Sequence, residues 1–280
     1  MIWFRKGRND PIENLKASVR EYWNAEPCGT RDVAAPERRA YFDRIERERY
    51  EMQPYIHPFA RFAERARGVR MLEVGVGAGT DFINWVRNGA KACGVDLSDQ
   101  SLQLTRERVL SEGLHADLHV ADAEQLPFQD ESFDLVYSFG VLHHSPDTPR
   151  AINEVHRVLK PGGRALIMVY HPYGWVGLLL WLFHGVAKLR PWRSPRWAMF
   201  HHLESPGTKA YTEREVRKLF ARYSDVTVER RLSTGDLLLM SPSGKYSKGV
   251  AGVIWKLYPR WFVRLLGERF GTDVLIEARK

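Results

Sequence analysis

Between Glu73 and Thr80 the chain reads Glu-Val-Gly-Val-Gly-Ala-Gly-Thr, with glycines at 75, 77 and 79. Glycines at alternate positions let a backbone turn tightly and approach a ligand closely, and the amides of a following helix start can face it. A dinucleotide fingerprint needs its third glycine one position later, where Thr80 stands. The carboxylate of Glu73 also suits a cationic ligand better than a pyrophosphate. Further on, Gly94-Val95-Asp96-Leu97-Ser98 sets an acid where a ribose diol would be gripped. Asp122 and Ala123 then precede Glu124-Gln125-Leu126-Pro127-Phe128. A carboxylate at 122 can accept from an exocyclic adenine amine, with Leu97 and Phe128 flanking the ring. The apolar run from Phe133 to Ser138 leads into Phe139-Gly140-Val141-Leu142-His143-His144.

These groups need elements that bring them together. Short apolar runs predict strands at about 69–74, 91–96, 117–121, 133–138 and 164–170, with helices at about 79–88, 98–111 and 148–159. Strands alternating with helices predict a parallel, doubly wound α/β sheet covered on both faces, with ligand groups at the strands' carboxyl ends. Lys160-Pro161-Gly162-Gly163 is a helix stop, and Thr212-Glu213-Arg214-Glu215 is a capping box opening a further helix. Strands near 226–231 and 272–279 complete the pattern. Residues 1–66 form a helical N-terminal extension or lid, with helical spacing from Pro36 to Ala66. Residues 67–280 form the α/β domain, interrupted by Trp- and Arg-rich inserts at about 171–211 and 233–270.

Composition sets the outer bounds. With 280 residues, 44% hydrophobic and 27% charged, the chain is long enough to bury a full core, and coiled-coil, collagen-like and disordered classes are excluded. Two cysteines, Cys28 and Cys93, make neither a disulfide framework nor a zinc site. The uncharged run from Ala165 to Ala187 is broken at His171-Pro172-Tyr173-Gly174, too soon to span a bilayer. A cytoplasmic protein is expected.

Segment 69–170 resembles the class I S-adenosylmethionine-dependent methyltransferases, in the broad group of the ubiquinone/menaquinone C-methyltransferases. The resemblance is carried in order by Glu-x-Gly-x-Gly-x-Gly at 73–79, Gly-Val-Asp-Leu-Ser at 94–98 and Asp-Ala-Glu-x-Leu-Pro-Phe at 122–128. Val-Leu-His-His at 141–144 and Glu154 to Gly163 continue it. It implies a Rossmann-like, seven-stranded sheet with an antiparallel last strand. It further implies that Gly75, Gly77 and Gly79 line the methionine moiety of S-adenosyl-L-methionine, Asp96 holds the ribose and Asp122 the adenine, with Glu73, Leu97 and Ala123 also in the cofactor set. Ser138 joins that cofactor set, and S-adenosyl-L-homocysteine is the implied product.

The acceptor is less legible. A thiolate or neutral amine needs no base for an in-line displacement, whereas a phenol or carbon acid does. His143 and Tyr170 are the candidate catalytic groups, with packing around the cofactor as the other reading of His143. Tyr22, Trp23, His144 and His171 are candidate substrate or lid residues, Tyr22 and Trp23 lying in a loop before a long helix. His201 and His202 with Glu204 carry ligand chemistry, but adjacent histidines point apart on most backbones, so no metal is expected. The inserts read as mutually packed segments, as a cap over an apolar acceptor, or as a peripheral membrane contact. A small-molecule acceptor is expected. The charge of +8 raises RNA as an alternative, but basic residues are interleaved with acids, as at Glu46-Arg47-Glu48-Arg49. The remaining alternative is a cofactor-binding module without turnover.

Overall fold

The computed structural model describes residues 11–30, 37–239 and 258–280. Seven strands form one sheet: β1 Arg70–Val74, β2 Lys91–Asp96, β3 Asp117–Val120, β4 Phe133–Phe139, β5 Leu159–Tyr170, β6 Ser224–Arg231 and β7 Asp273–Arg279. Their order is β3-β2-β1-β4-β5-β7-β6. The first five pair in parallel, while β7 runs antiparallel between β5 and β6. The expected closing antiparallel strand is therefore present.

Ahead of the sheet lie α1 Pro11–Ala25, α2 Arg38–Met52, α3 Ile56–Ala60 and α4 Phe62–Arg65. Between the strands lie α5 Thr80–Arg87, α6 Asp99–Ser111 and α7 Thr148–Val158. Later helices are α8 Trp175–His184, α9 Pro195–His202, α10 Glu213–Leu219 and α11 Arg260–Leu266. Alternate strand residues feed two cores. Leu72, Val74, Val95 and Val136 pack with Ile152, Val155 and Val216 from α7 and α10. Met71, Leu135, Tyr137 and Leu166 face the other way, onto Phe62, Phe82 and Leu102. Polar side chains start the helices as the sequence requires: Ser98 accepts from the Ser101 amide, Asp147 from the Arg150 amide, and Thr212 with Glu215 closes the capping box.

Three expectations change. Tyr22 and Trp23 lie on the last turns of α1, not in a loop. The helical spacing over 36–66 resolves into α2, α3 and α4: Pro54 and Pro58 lack the amides a helix running on from α2 would use, and Arg61, left-handed with φ of 52°, parts α3 from α4. The Lys160–Gly163 stop does end α7, but no separate loop follows: β5 begins at Leu159 and pairs back to Phe133. The first insert is helical, as α8 and α9, with Ala198 and Met199 buried. Much of the second, including Trp255, lies outside the described residues. No helix among the described residues is long and apolar enough to cross a membrane.

Candidate active site at the carboxyl ends of the sheet

Gly75 and Gly79 leave β1 with φ of 83° and 73°, in the left-handed region. A Cβ at 75 would lie 2.2 Å from a Val141 methyl, and one at 79 would lie 2.9 Å from the Thr105 hydroxyl. Sterics and dihedral thus both demand glycine here. The Gly77 amide donates to Asp96 Oδ2 at 3.0 Å and the Ser98 amide to Oδ1 at 2.8 Å. Burial pushes the Asp96 carboxyl up to about 6, against the pull of these amides. At the next strand end, Asp122 takes the Glu124 amide on Oδ1 at 2.9 Å and the Lys16 ammonium of α1 on Oδ2 at 2.7 Å. Gly75, Gly77, Asp96, Leu97, Asp122 and Ala123 all keep partial access to solvent. Glu73 and Ser138 lie beneath them, buried. Glu73 Oε2 has no hydrogen-bond partner, and burial, reinforced by Asp81, raises its proton affinity well above the usual carboxylate range. The Ser138 hydroxyl donates to the Val74 carbonyl at 2.8 Å, so it joins β4 to β1 rather than facing the cleft.

Helix α5, which follows the glycines, is anchored from α2. Arg49 meets both Asp81 oxygens, at 2.9 and 2.6 Å, while Tyr50 and Tyr137 donate to the same carboxylate at 3.1 and 2.9 Å. Burial alone would raise Asp81, but Arg49 outweighs it and keeps the group ionised. Arg49 therefore offsets a buried charge directly behind the loop.

Across the cleft, β4 ends in a 3₁₀ turn, Leu142–His144, and β5 ends at Tyr170. His143 is fully buried, its ring 4.2 Å from that of Tyr170, and neither ring nitrogen has a hydrogen-bond partner. Burial, with His144 and Lys209 nearby, drives its pKa far below the histidine norm. Tyr170 donates to Glu204 at 3.1 and 3.2 Å, and burial beside that carboxylate raises the phenol well above its ordinary value. His144 Nδ1 meets the hydroxyls of Ser205 and Thr208 at 2.8 and 3.1 Å. Trp23 reaches over from α1 to within 5.4 Å of the His144 ring, edge to face. His171 sits apart: buried, with Nδ1 accepting the Tyr173 amide at 3.2 Å and its pKa lowered to about 4 by burial and the nearby Arg230 and Arg196. His201 is turned to the Trp197 carbonyl at 2.9 Å, away from Glu204's histidine partners.

Residues 72–167 match the family described as "Methyltransferase domain". That segment is a methyltransferase domain of the S-adenosylmethionine-dependent kind. Among curated relatives, "Methyltransferase GfsG" of Streptomyces halstedii is 35% identical over 127 residues, covering 40% of this chain and 45% of its own. The ubiquinone/menaquinone biosynthesis C-methyltransferase UbiE of Laribacter hongkongensis is 36% identical over 107 residues, covering 37% and 43%. The chain thus spans less than half the length of either relative. Among solved structures, geranyl diphosphate C-methyltransferase from Streptomyces coelicolor A3(2) aligns over 98% of this chain and 99% of its own, with TM-score 0.62 at 16% identity. Phosphoethanolamine N-methyltransferase 2 of Haemonchus contortus aligns over 94% and 60%, with TM-score 0.58 at 21% identity. At such identities these structures speak for the fold alone.

Several groups at the methyltransferase domain's open end escaped sequence reasoning. Lys16 and Arg49 belong to the N-terminal helices, where arginines and lysines are plentiful and nothing local marks these two. Asp273 begins β7 opposite Tyr170, is buried, and accepts from Tyr55 at 2.5 Å, with burial pushing it up to about 8. Its signal was available only once β7 was known to run antiparallel, which brings its first residue to the carboxyl end of β5. Glu204 had been noted only beside His201 and His202.

Proposed function

We propose that the chain transfers the methyl group of S-adenosylmethionine to a small-molecule acceptor bound between the glycine loop, the β4 and β5 ends and helix α1. The convergence of Gly75, Gly77, Gly79, Asp96 and Asp122 at three adjacent strand ends carries this reading. The residues fit the cofactor: the loop has room for no side chain at 75 or 79, and the buried Glu73 carboxylate lacks a partner that a cationic ligand group would supply. S-adenosylmethionine brings an electrophilic sulfonium methyl; the chain's task is to bind, orient and exclude water. Asp96 would hold the ribose diol and Asp122 the adenine side, with α1 closing over both through Lys16.

On the acceptor side, His143 and Tyr170 act as positioning groups rather than bases. A histidine sealed from solvent with a depressed pKa does not collect a proton from an acceptor. A phenol already donating to Glu204 serves as a fixed donor and apolar wall. This arrangement favours acceptors that react as neutral amines or thiolates, for which alignment supplies much of the rate. The printed name of one relative, a ubiquinone/menaquinone biosynthesis C-methyltransferase, supports a small-molecule acceptor. The test is S-adenosylhomocysteine release by purified protein across thiols, amines, phenols, quinols and bulk RNA. Turnover on a thiol or amine is expected. Cofactor binding without turnover on any class would leave a binding module instead.

A further inference from the structure

We infer that His143, His144 and Glu204 form a binding site for a first-row divalent metal ion of the zinc type. One ligand atom from each of the three lies within 4.8 Å of the others. The hydrogen bonds of His144 allow a tautomer that leaves its second nitrogen available as a ligand. The Thr208 hydroxyl gives its proton to the carbonyls of Ser205 and Leu203, at 2.7 and 2.9 Å. Its oxygen can then accept from His144 Nδ1 at 3.1 Å, the tautomer in which Nδ1 carries the hydrogen and also faces the Ser205 oxygen at 2.8 Å. In that tautomer Nε2 is a bare lone pair, and it faces Glu204 Oε2 at 3.4 Å. A lone pair and a carboxylate at that separation repel unless a cation lies between them.

A proton on Nε2, with the Ser205 hydroxyl donating to Nδ1, satisfies the His144–Glu204 pair alone; both nitrogens of the fully buried His143 still stand without a partner. A metal ion accounts for all three side chains. Two ligands bonded to zinc at about 2.0–2.1 Å with a tetrahedral angle stand roughly 3.3 Å apart, close to the observed edge. His143 then needs to bring one nitrogen inward by up to about 1.5 Å, from the 4.8 Å within which the ligand atoms lie. The supporting shell is also in place. A metal-bound histidine usually engages its other nitrogen, as His144 does with Ser205 and Thr208, and Tyr170 fixes the carboxylate. Glu204 lies at the exposed end of the set, leaving an open coordination position toward solvent, as in catalytic rather than structural zinc sites. The neighbouring ammonium of Lys209 is drawn off onto the Ser145 carbonyl at 2.7 Å.

The test uses the full chain stripped of metal with a chelator and titrated with Zn²⁺ by calorimetry, followed by X-ray absorption of the loaded protein. One ion per chain is expected, with two imidazoles and only nitrogen and oxygen ligands. Glu204→Gln, at a partly exposed position, should raise Kd at least 100-fold while keeping the melting curve of the parent without metal. His144→Ala should do the same, and the double variant H201A/H202A should bind as the parent does. Absence of stoichiometric uptake overturns the site. So does unchanged affinity in Glu204→Gln and His144→Ala, or a sulfur ligand, which would point to Cys28. Ion binding is read here without turnover, so its outcome stands apart from the methyl-transfer reading.

Discussion

Asp96 has a task in the fold apart from any proposed ligand. Its two oxygens already take the amides of Gly77 and Ser98, so the residue shapes the glycine loop before any ribose arrives. Hydrogen bonds to a charged group contribute roughly 1.5–3 kcal/mol each. Asp96→Ala should therefore weaken S-adenosylhomocysteine binding at least tenfold by calorimetry; unchanged affinity would remove the ribose from this position. The carboxyl's elevation to about 6 adds a pH signature. The ionised form is the acceptor for ribose hydroxyls, so affinity should fall as pH drops below about 6, and Asp96→Asn should flatten that profile.

At the scale of elements, the decisive contact is helix α1 on the sheet's open end. Lys16 spans Asp122 and Glu124 at 2.7 Å each, Arg20 pairs with Asp99, and Asn24 accepts from Ser98 at 2.7 Å. Burial disfavours the Lys16 charge, but its two carboxylates more than restore it and leave the pKa raised. Little of α1 is buried apolar surface, Val19 being its one buried residue. Polar ties thus hold it, and they break more readily than a packed core. Lys16→Met should speed amide exchange in α1 by roughly fivefold, about 1 kcal/mol, while β1 and β4 exchange as before. Equal exchange in α1 would show that the helix does not depend on this clamp.

At the scale of the whole molecule, a buried carboxyl, Asp273, sits where β7, β5 and Tyr55 meet. Burial is the first cause of its rise to about 8, with Asp236 and Glu204 adding to it and Tyr55 opposing. A raised acid favours the fold while protonated. Its contribution is fully present below the unfolded value near 4 and is lost as pH climbs through about 8. Asp273→Asn, which cannot ionise, should gain in melting temperature over the parent as pH rises from 5 to 8.5. A constant difference across that range would place the titration elsewhere. At the same scale, the first insert reads differently along its length. Ala198 and Met199 are buried, whereas Leu189 and Trp192 stand 84% and 77% exposed. The segment is thus part core and part unpartnered surface.

The sequence by itself determined the sheet, its helices, and the glycine loop and carboxylates at the sheet's carboxyl ends. Strand periodicity, caps and the glycine loop are local patterns, and Gly75, Asp96 and Asp122 each end a strand that the sequence already marks. A parallel sheet then brings those ends together with no further information. Only the tertiary structure decided the acceptor side. A proline break after α2 and a left-handed turn at Arg61 divided one helical stretch into three, which put Arg49 behind the glycine loop and Tyr55 on Asp273. The antiparallel return of β7 delivered Asp273 to the open end. Glu204 reached His143 and His144 through the loop after α9, some sixty residues on in sequence. Such contacts come from chain segments far apart, each ordinary in its own neighbourhood, so no spacing within the sequence could announce them.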